Sequence, residues 1–311
     1  MRFTTEKIKL MIQVLEQAVS EHRGWLNDWH RSLIFGQPLA TICYSKDSYR
    51  RCGFGQWYYS QSSPILSDHS VFILIGQSHR DLHDKAFVLA DKIKHYKTIS
   101  IKDYDSFIAK EQDFSKKIFD LRDEFREILF EIDSLTDIFN RQAFFRILSY
   151  EHERASRTGQ PCCICMVDLD HFKTINDTYG HLVGDRVLRA VAHDLTGKLR
   201  PYDSMCRYGG EEFLICLPNT ELNMAKKIVN RLRVGLFSLP IDLENDRHVN
   251  ITASFGIAKM ATNITIDDNI TRADEALYAA KYGGRNQVVA YEDIGPAWKN
   301  GRRENWEGSS I

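Results

Sequence analysis

Apolar side chains recur every three or four positions over the first 135 residues, which predicts amphipathic helices. One helix begins near residue 8, a second near Ser67, and a short one follows Cys52. In a third long segment the steps from Ile118 to Leu135 run 3, 4, 3, 4, 3, the heptad seam of a coiled coil. These elements predict a four-helix bundle whose last helix continues as a stalk and pairs with a second copy. The first two stripes comprise Ile8, Met11, Ile12, Leu15, Ala18, Val19, His22, Trp25, Leu26 and Trp29, then Phe72, Ile75, His79, Leu82, His83, Ala86 and Ile93.

Beyond Leu135 the pattern mixes short apolar runs with helical stripes, which indicates an α/β domain. Strands are predicted over 162–170, 204–208, 212–218 and 250–260. A loop followed by a helix is predicted over 176–199, and a helix over 271–284 that ends at glycines. The segment 296–311 lacks periodicity and is predicted to be a flexible tail.

Composition narrows the functional classes. The 311 residues are 43% hydrophobic and 27% charged, with a formal net charge of -1, so no overall basic field favours nucleic acid or an anionic membrane. No apolar run approaches the roughly 20 residues of a membrane span, and the N-terminus has no apolar signal core. We therefore expect a cytoplasmic protein. Seven cysteines in a chain of this length do not predict a disulfide framework.

Two groups of carboxylates stand at predicted strand ends. Gly209 and Gly210 predict a two-residue hairpin turn with positive φ at both positions, which places Glu211 and Glu212 at the hairpin tip. Asp168 and Asp170 end the strand 162–170. Hard oxygen ligands on neighbouring strands suit Mg²⁺. The alternative is a solvated hairpin tip beside an unrelated surface acid.

The ordered motifs resemble those of the GGDEF diguanylate cyclases. RYGGEEF contains the family signature with Glu at its third position, D133-S-L-T-D-I-F-N-R141 resembles the opening segment, and D168-L-D-H-F-K-T-I-N-D-T-Y-G-H-L-V-G-D185 resembles the first strand, loop and helix. K281-Y-G-G-R-N matches the closing motif. The resemblance covers roughly residues 133–292. It implies a nucleotidyl-cyclase-like domain with a central mixed or antiparallel sheet flanked by helices, and condensation of two GTP into cyclic di-GMP with Mg²⁺ or Mn²⁺.

The same resemblance implies residue roles. Asp168 and Glu211 bind metal through side chains and Leu169 through its carbonyl, while Glu212 either binds metal or accepts the 3′-hydroxyl proton. One subunit holds one GTP, so the resemblance implies a homodimer. The implied triphosphate contacts are Lys173, Lys281 and Arg285; the guanine contacts are Asn176 and Asp185, and His181 lies at the nucleotide pocket.

Upstream of the hairpin, Arg200 and Asp203 have the spacing of the family's inhibitory R-x-x-D motif, where the product cyclic di-GMP binds away from the catalytic pocket. The alternative is a salt bridge within a loop, which contributes little.

The N-terminal helices contain histidines at metal-ligand spacing. His79 and His83 project from one helical face, His22 lies on the stripe of the first helix, and Cys52 begins the short helix. Three imidazoles and a thiolate favour Zn²⁺. Each histidine could instead be an ordinary core residue. H22…C52-G-F-G-Q-W57…H79-R-D-L-H83 resembles the chemoreceptor zinc-binding domain over roughly residues 8–96, and this resemblance implies that the four residues bind zinc.

The combined prediction is a zinc-responsive diguanylate cyclase. Residues 1–117 form the zinc-binding bundle, 118–135 the coiled-coil stalk, 136–295 the cyclase domain and 296–311 the tail. Bound zinc is expected to reduce activity by holding two catalytic domains apart. The alternatives are a catalytically inactive receptor for cyclic di-GMP and a zinc-sensing interaction module. Cys162, Cys163, Cys165, Cys206 and Cys216 are predicted to be core residues.

Overall fold

A computed structural model divides the chain into two compact units, with the division between Phe130 and Glu131. The structure describes residues 4–35, 45–59, 70–96, 98–242 and 248–295. The predicted tail and the predicted start of the second helix near Ser67 lie outside these ranges. No helix in the described part of the chain is long and apolar enough to cross a bilayer.

In the residues that the structure describes, the regular secondary structure of the first unit is all helical. The predicted stripe of α1 faces inward, since Ile8 and Leu15 are fully buried and Trp29 is 1% exposed. The short helix predicted after Cys52 is α3, and a further short helix, α2, precedes Cys52 and was not predicted. The helices are α1 (Thr5–Phe35), α2 (Ser48–Arg51), α3 (Gly53–Tyr59), α4 (Ser70–Tyr96) and α5 (Ile101–Glu131).

The residues of the predicted heptad seam belong to both units. Ile118, Leu121 and Phe125 are buried within the first unit of the single chain. Helix α5 ends at Glu131, before the predicted end of the stalk at Leu135, and Leu135 packs against the core of the second unit. Pairing of this segment with a second copy stays a prediction.

The second unit is a six-stranded mixed sheet covered by helices on both faces. Its strand order is β1-β3-β4-β2-β7-β8, antiparallel except for the pairs β1–β3 and β7–β8. A two-stranded ribbon, β5–β6, stands apart from this sheet. The strands are β1 (Phe139–Asn140), β2 (Cys162–Leu169), β3 (Ser204–Arg207), β4 (Glu212–Pro218), β5 (Ile241–Asp242), β6 (His248–Val249), β7 (Ala253–Lys259) and β8 (Val288–Ala290).

Two apolar cores lie on opposite faces of the sheet. One is formed with α7, α8 and α9, and the other with α6 and α10. Strand β2 is buried at every position because it is central and covered on both faces, which is why residues 162–167 are a continuous apolar run. The helices are α6 (Arg141–Thr158), α7 (Phe172–Tyr179), α8 (His181–Lys198), α9 (Leu222–Phe237) and α10 (Ile266–Tyr282).

The cysteines of this unit are core residues, as predicted. Cys163 and Cys165 belong to the core on one face of β2, and Cys162 to the core on the other, together with Cys206 and Cys216. All five are buried and free of disulfides.

Two predicted boundaries are wrong. Residues 176–179, predicted as a loop, belong to α7, because Phe172 and Ile175 bury one face of that helix before Gly180, with φ of 85°, ends it. Helix α10 begins at Ile266 rather than near residue 271. Its N-terminus is a capping box in which Thr265 and Asp268 satisfy each other's backbone N–H groups.

Candidate active site and candidate metal centre

The predicted carboxylates meet at one end of the sheet. Asp168 in β2 lies directly opposite Glu212 in β4, and the backbone N–H of Leu169 donates to the carbonyl of Glu211 at 3.3 Å. The strands are antiparallel, so the C-terminal end of β2 adjoins the N-terminal end of β4. This register brings Asp168, Glu211 and Glu212 together, as the motif spacing predicted.

The turn that presents the glutamates differs from the predicted one. Neither Gly209 nor Gly210 has a positive φ. The connection between β3 and β4 comprises the four residues 208–211 instead of the predicted two. The carboxylate of Glu212 lies close to Gly209, since a Cβ at that position would be 2.6 Å from Oε2 of Glu212. The side chain of Glu212 therefore packs over the backbone of its own loop.

The two aspartates at the C-terminal end of β2, Asp168 within the strand and Asp170 just after it, differ in their contacts. Both oxygens of Asp170 are occupied, by the hydroxyls of Thr252 and Ser254 at 2.7 Å each and by the backbone N–H of Asn286 at 3.0 Å. Asp168 is 4% exposed and pairs with Nζ of Lys281 at 2.7 Å. Asp170 thus anchors the loop after α10, and Asp168 remains the candidate ligand.

Asp168, Glu211 and Glu212 are partly or fully buried and lie close together, so their negative charges are unfavourable unless a cation is bound. Burial raises the pKa of Asp168, although Lys281 opposes the rise. Burial, followed by repulsion from Asp168, raises the pKa of both Glu211 and Glu212. Carboxylate oxygens crowded around Lys281 are a donor set that fits a hard divalent cation, whose charge would relieve the repulsion.

Asp274 of α10 also belongs to this group and was missed by the sequence analysis. Burial, then repulsion from Glu212, raises its pKa to about 6. Its position seven residues before Lys281, on the same helical face, was the available signal.

The predicted guanine contacts lie where α7 and α8 pack together. A Cβ at Gly184 would lie 1.9 Å from Oδ1 of Asn176, so the absence of a side chain at 184 lets Asn176 approach α8 beside Asp185. His181 is exposed at the start of α8, and Lys173 is exposed in the first turn of α7. Arg285 is exposed with a left-handed φ of 64° in the loop after α10.

The predicted product site lies in the turn before β3. The Asp203 carboxylate accepts from the backbone N–H of Arg200 at 2.9 Å, and the Arg200 guanidinium donates to the Tyr202 hydroxyl at 3.2 Å. The other carboxylate oxygen, Oδ1 of Asp203, is buried without a partner. Arg231 of α9, which the sequence analysis missed, lowers the pKa of Asp203 against a larger rise caused by burial.

In the first unit, three of the predicted metal ligands form one buried cluster. Each of His22, His79 and His83 offers a nitrogen, and these atoms all lie within 4.8 Å of one another. Cys52 is adjacent, with Sγ 3.2 Å from Nε2 of His79. The three histidines therefore lie close together, and Cys52 contacts His79.

Buried polar atoms in this cluster lack partners. Both nitrogens of His22, Nδ1 of His79 and Nε2 of His83 are buried without hydrogen bonds. Burial lowers the pKa of His22 to about 4, of His79 to about 2 and of His83 to about 3, so the imidazoles are neutral at pH 7. Neutral imidazoles with unpartnered nitrogens are a donor set that fits Zn²⁺.

Burial raises the pKa of the Cys52 thiol to about 11, although N–H groups including that of Gly55 lower it. The Gly55 N–H donates to Sγ at 3.2 Å. Glycine is required at 55 because a Cβ would lie 1.7 Å from the carbonyl oxygen of Tyr49. A bound cation would favour the thiolate form.

Comparisons with known proteins agree with the second unit's geometry. The family described as "Diguanylate cyclase, GGDEF domain" matches residues 130–287, slightly more than half of the chain. Diguanylate cyclase DgcZ of Escherichia coli (strain K12) is 28% identical over 294 residues, covering 93% of this chain and 96% of DgcZ. Diguanylate cyclase DgcP of Pseudomonas aeruginosa is 39% identical over 156 residues, which are 50% of this chain but only 23% of DgcP.

A solved structure of a GGDEF protein is also similar to this chain. The coiled coil and GGDEF domain of DgcB from Caulobacter crescentus, in complex with c-di-GMP, aligns with a TM-score of 0.55 at 32% identity, covering 60% of this chain and 99% of that one. The family match over residues 130–287 includes the strands and the loop that bring Asp168, Glu211 and Glu212 together. The chain belongs to the GGDEF family of diguanylate cyclases.

Proposed function

We propose that this protein condenses two GTP molecules into cyclic di-GMP and releases two pyrophosphates, with Mg²⁺ or Mn²⁺ at the carboxylate site. The observation that carries the proposal is the pairing of Asp168 with Glu212 across β2 and β4, with Glu211 beside them. Carboxylates with raised pKa values, crowded at the rim of a sheet, are suited to hold cations beneath a triphosphate.

The reaction comprises two identical transfers. The 3′-hydroxyl oxygen of one GTP attacks the α-phosphorus of the other, the bond from that phosphorus to the bridging oxygen breaks, and pyrophosphate leaves. Asp168, Glu211 and the carbonyl of Leu169 would hold the metal, which supplies charge neutralisation for the nucleophile and the leaving oxygens. Glu212 is the candidate acceptor of the hydroxyl proton, because burial and repulsion from Asp168 raise its pKa and so make its carboxylate a stronger base.

Cationic side chains around the carboxylates suit the triphosphate. Lys281, which pairs with Asp168 in this structure, would exchange that contact for a phosphate oxygen once a divalent cation neutralises the aspartate. Arg285 and Lys173 are exposed and free to reach the outer phosphates. Asn176 and Asp185 would read the guanine edge, since a carboxylate can accept from both N1–H and the 2-amino group, with His181 at the pocket rim.

Cyclisation requires two such sites to face each other, since each subunit would supply one GTP. We therefore propose a homodimer as the active form. Cyclic di-GMP would bind at Arg200 and Asp203 and reduce turnover, and the buried, unpartnered Oδ1 of Asp203 provides an acceptor for a guanine N–H. Arg231 is close enough to affect Asp203 electrostatically and is a further candidate for this product site.

For the first unit, we propose zinc binding by His22, Cys52, His79 and His83. The support is the buried cluster of three neutral imidazoles with unpartnered nitrogens, and the thiol beside one of them. Bound zinc would hold the two catalytic domains of the dimer apart and lower turnover. A cytoplasmic location fits the proposed substrate.

The deciding experiment is GTP turnover in Mg²⁺ buffer with and without a strong zinc chelator, with cyclic dinucleotide and pyrophosphate measured together. Release of one pyrophosphate per GTP with cyclic di-GMP formation, faster after chelation, supports both proposals. Cyclic di-GMP binding without any GTP consumption would assign the protein as a receptor instead. Equal or higher turnover with zinc would refute the proposed direction of zinc control.

A further inference from the structure

Ser48 contacts one imidazole of the histidine cluster. Its Oγ lies 3.1 Å from Nδ1 of His83, and both residues are buried, at 3% and 1% exposure. The other ring nitrogen of His83, Nε2, is buried without a hydrogen-bond partner. A neutral imidazole carries a proton on one nitrogen and a lone pair on the other, so the contact with Ser48 selects which nitrogen can bind a metal.

The two possible tautomers differ in what they leave unsatisfied. If Nδ1 of His83 carries the proton, it donates to Oγ of Ser48 and the Nε2 lone pair is free for a cation. If the serine hydroxyl donates instead, Nε2 becomes a buried N–H without an acceptor, which costs roughly 1–3 kcal/mol. A cation at the cluster therefore favours the first arrangement.

In the described part of the chain, no hydroxyl group forms a comparable hydrogen bond with a ring nitrogen of His22 or His79. Both nitrogens of His22 lack partners, and Nδ1 of His79 lacks one while its Nε2 faces Sγ of Cys52. Ser48 also belongs to the segment that carries the thiol, since the backbone N–H of Cys52 donates to the Ser48 carbonyl at 3.2 Å. One residue thus connects the Cys52 segment to helix α4.

We propose that Ser48 is a positioning residue of the zinc site: it accepts from Nδ1–H of His83 and so makes Nε2 the ligand atom. This inference rests on the proposed zinc function. Partners of metal-bound histidines hold the tautomer and ring orientation, and their removal typically lowers metal affinity 10–100-fold.

The test uses the full chain and the metal alone. Zinc affinity is measured by competition with a chromophoric chelator, and cobalt is substituted to read ligand geometry from its visible spectrum. Ser48→Ala is expected to weaken zinc binding about 10–100-fold and to change the cobalt spectrum. Ser48→Thr, which keeps the hydroxyl, is expected to restore most of the affinity.

Ser78→Ala is the matched control, because Ser78 is a buried serine in the same unit whose hydroxyl donates to the carbonyl of Ile75 at 3.1 Å rather than to a histidine. It is expected to bind zinc like the unmodified chain. Affinity in Ser48→Ala equal to that in Ser78→Ala would overturn the inference.

A second measurement does not depend on the variant folding. Two-bond ¹H–¹⁵N NMR of the unmodified, zinc-loaded protein is expected to show His83 protonated at Nδ1 and metal-bound at Nε2. Ligation through Nδ1 would overturn the inference while leaving zinc binding intact. Failure of the unmodified chain to bind zinc or cobalt would instead refute the zinc proposal itself.

Discussion

Arg207 contacts both carboxylate oxygens of Asp133, at 3.3 and 3.4 Å. The same guanidinium donates two hydrogen bonds, of 3.1 and 2.8 Å, to the carbonyl of Gly210, the residue before Glu211. Asp133 in turn accepts from the backbone N–H groups of Leu135 and Thr136. One side chain therefore connects the turn at the start of the second unit to the loop that leads into Glu211 and Glu212.

Replacing Arg207 by Lys should lower turnover about tenfold, because a lysine cannot bridge two acceptors with a planar fork and the loop loses its anchor. The expected loss is mainly in kcat, with a small change in KM for GTP. Arg146→Gln, which removes an exposed ion pair with Glu131 in the same unit, is the control and should leave both constants unchanged. Equal kinetics in Arg207→Lys and Arg146→Gln would contradict this role.

Replacing Glu212 by Gln should reduce GTP turnover by at least about a hundredfold, since the side chain loses its capacity to accept a proton or bind metal. The metal-free variant should be no less stable than the unmodified chain, because the change removes one of several mutually repelling carboxylates. Steady-state pyrophosphate release and urea denaturation measure the two effects. A variant that unfolds more easily and retains its turnover would show that Glu212 serves only the fold.

Gly184→Ala should raise KM for GTP several-fold while kcat changes less. The added Cβ would lie 1.9 Å from Oδ1 of Asn176, so the asparagine must move away from the proposed guanine site. Gly197→Ala in the same helix is the matched control, since a Cβ there meets nothing within 4 Å and should add up to about 1 kcal/mol of helix stability. Identical KM values in the two variants would place the guanine elsewhere.

The stability of the metal-free second unit should fall as pH rises from about 4 to about 6. Asp274 has a pKa of about 6 in the folded protein, raised above its unfolded value near 4 by burial. Its contribution is therefore complete below the unfolded value and is lost as pH rises through the folded value. Asp274→Asn should remove part of this slope and stabilise the metal-free protein at pH 7 by up to roughly 3 kcal/mol.

Urea denaturation at pH 4.5 and pH 7 measures this difference for the unmodified chain, for Asp274→Asn and for Glu153→Gln, an exposed carboxylate of α6 that serves as the control. Addition of Mg²⁺ should narrow the gap between the unmodified chain and Asp274→Asn, because the cation relieves the same repulsion. The prediction fails if the stability of Asp274→Asn has the same pH dependence as that of Glu153→Gln.

Zinc should stabilise the first unit against heat and urea. Binding to the folded state alone adds about 4 kcal/mol when free zinc is a thousand times its dissociation constant. His79→Ala, which removes the histidine in contact with Cys52, should abolish this increment. Scanning calorimetry with zinc and with chelator measures it, and a zinc-dependent rise that survives in His79→Ala would disprove the ligand set.

Several of the elements, and the residue types of the candidate site, can be read from the sequence alone. The stripe that includes Ile8, Leu15 and Trp29 follows from helical geometry, and the apolar run over residues 162–167 is typical of a central strand covered on both faces. The ordered motifs identified Asp168, Glu211 and Glu212, because metal chemistry restricts the residue types at those positions. These signals are local in the chain, so they can be read without a structure.

Which residues of the same chemical type share a site depends on tertiary packing. Asp168 and Asp170 are two positions apart in the chain, yet only packing against Thr252, Ser254 and Asn286 occupies Asp170 and leaves Asp168 available. Asp274 joined the acidic group, and Ser48 reached His83, through contacts between segments distant in sequence. Such contacts depend on burial and register, which arise only when separate elements pack and water is excluded between them.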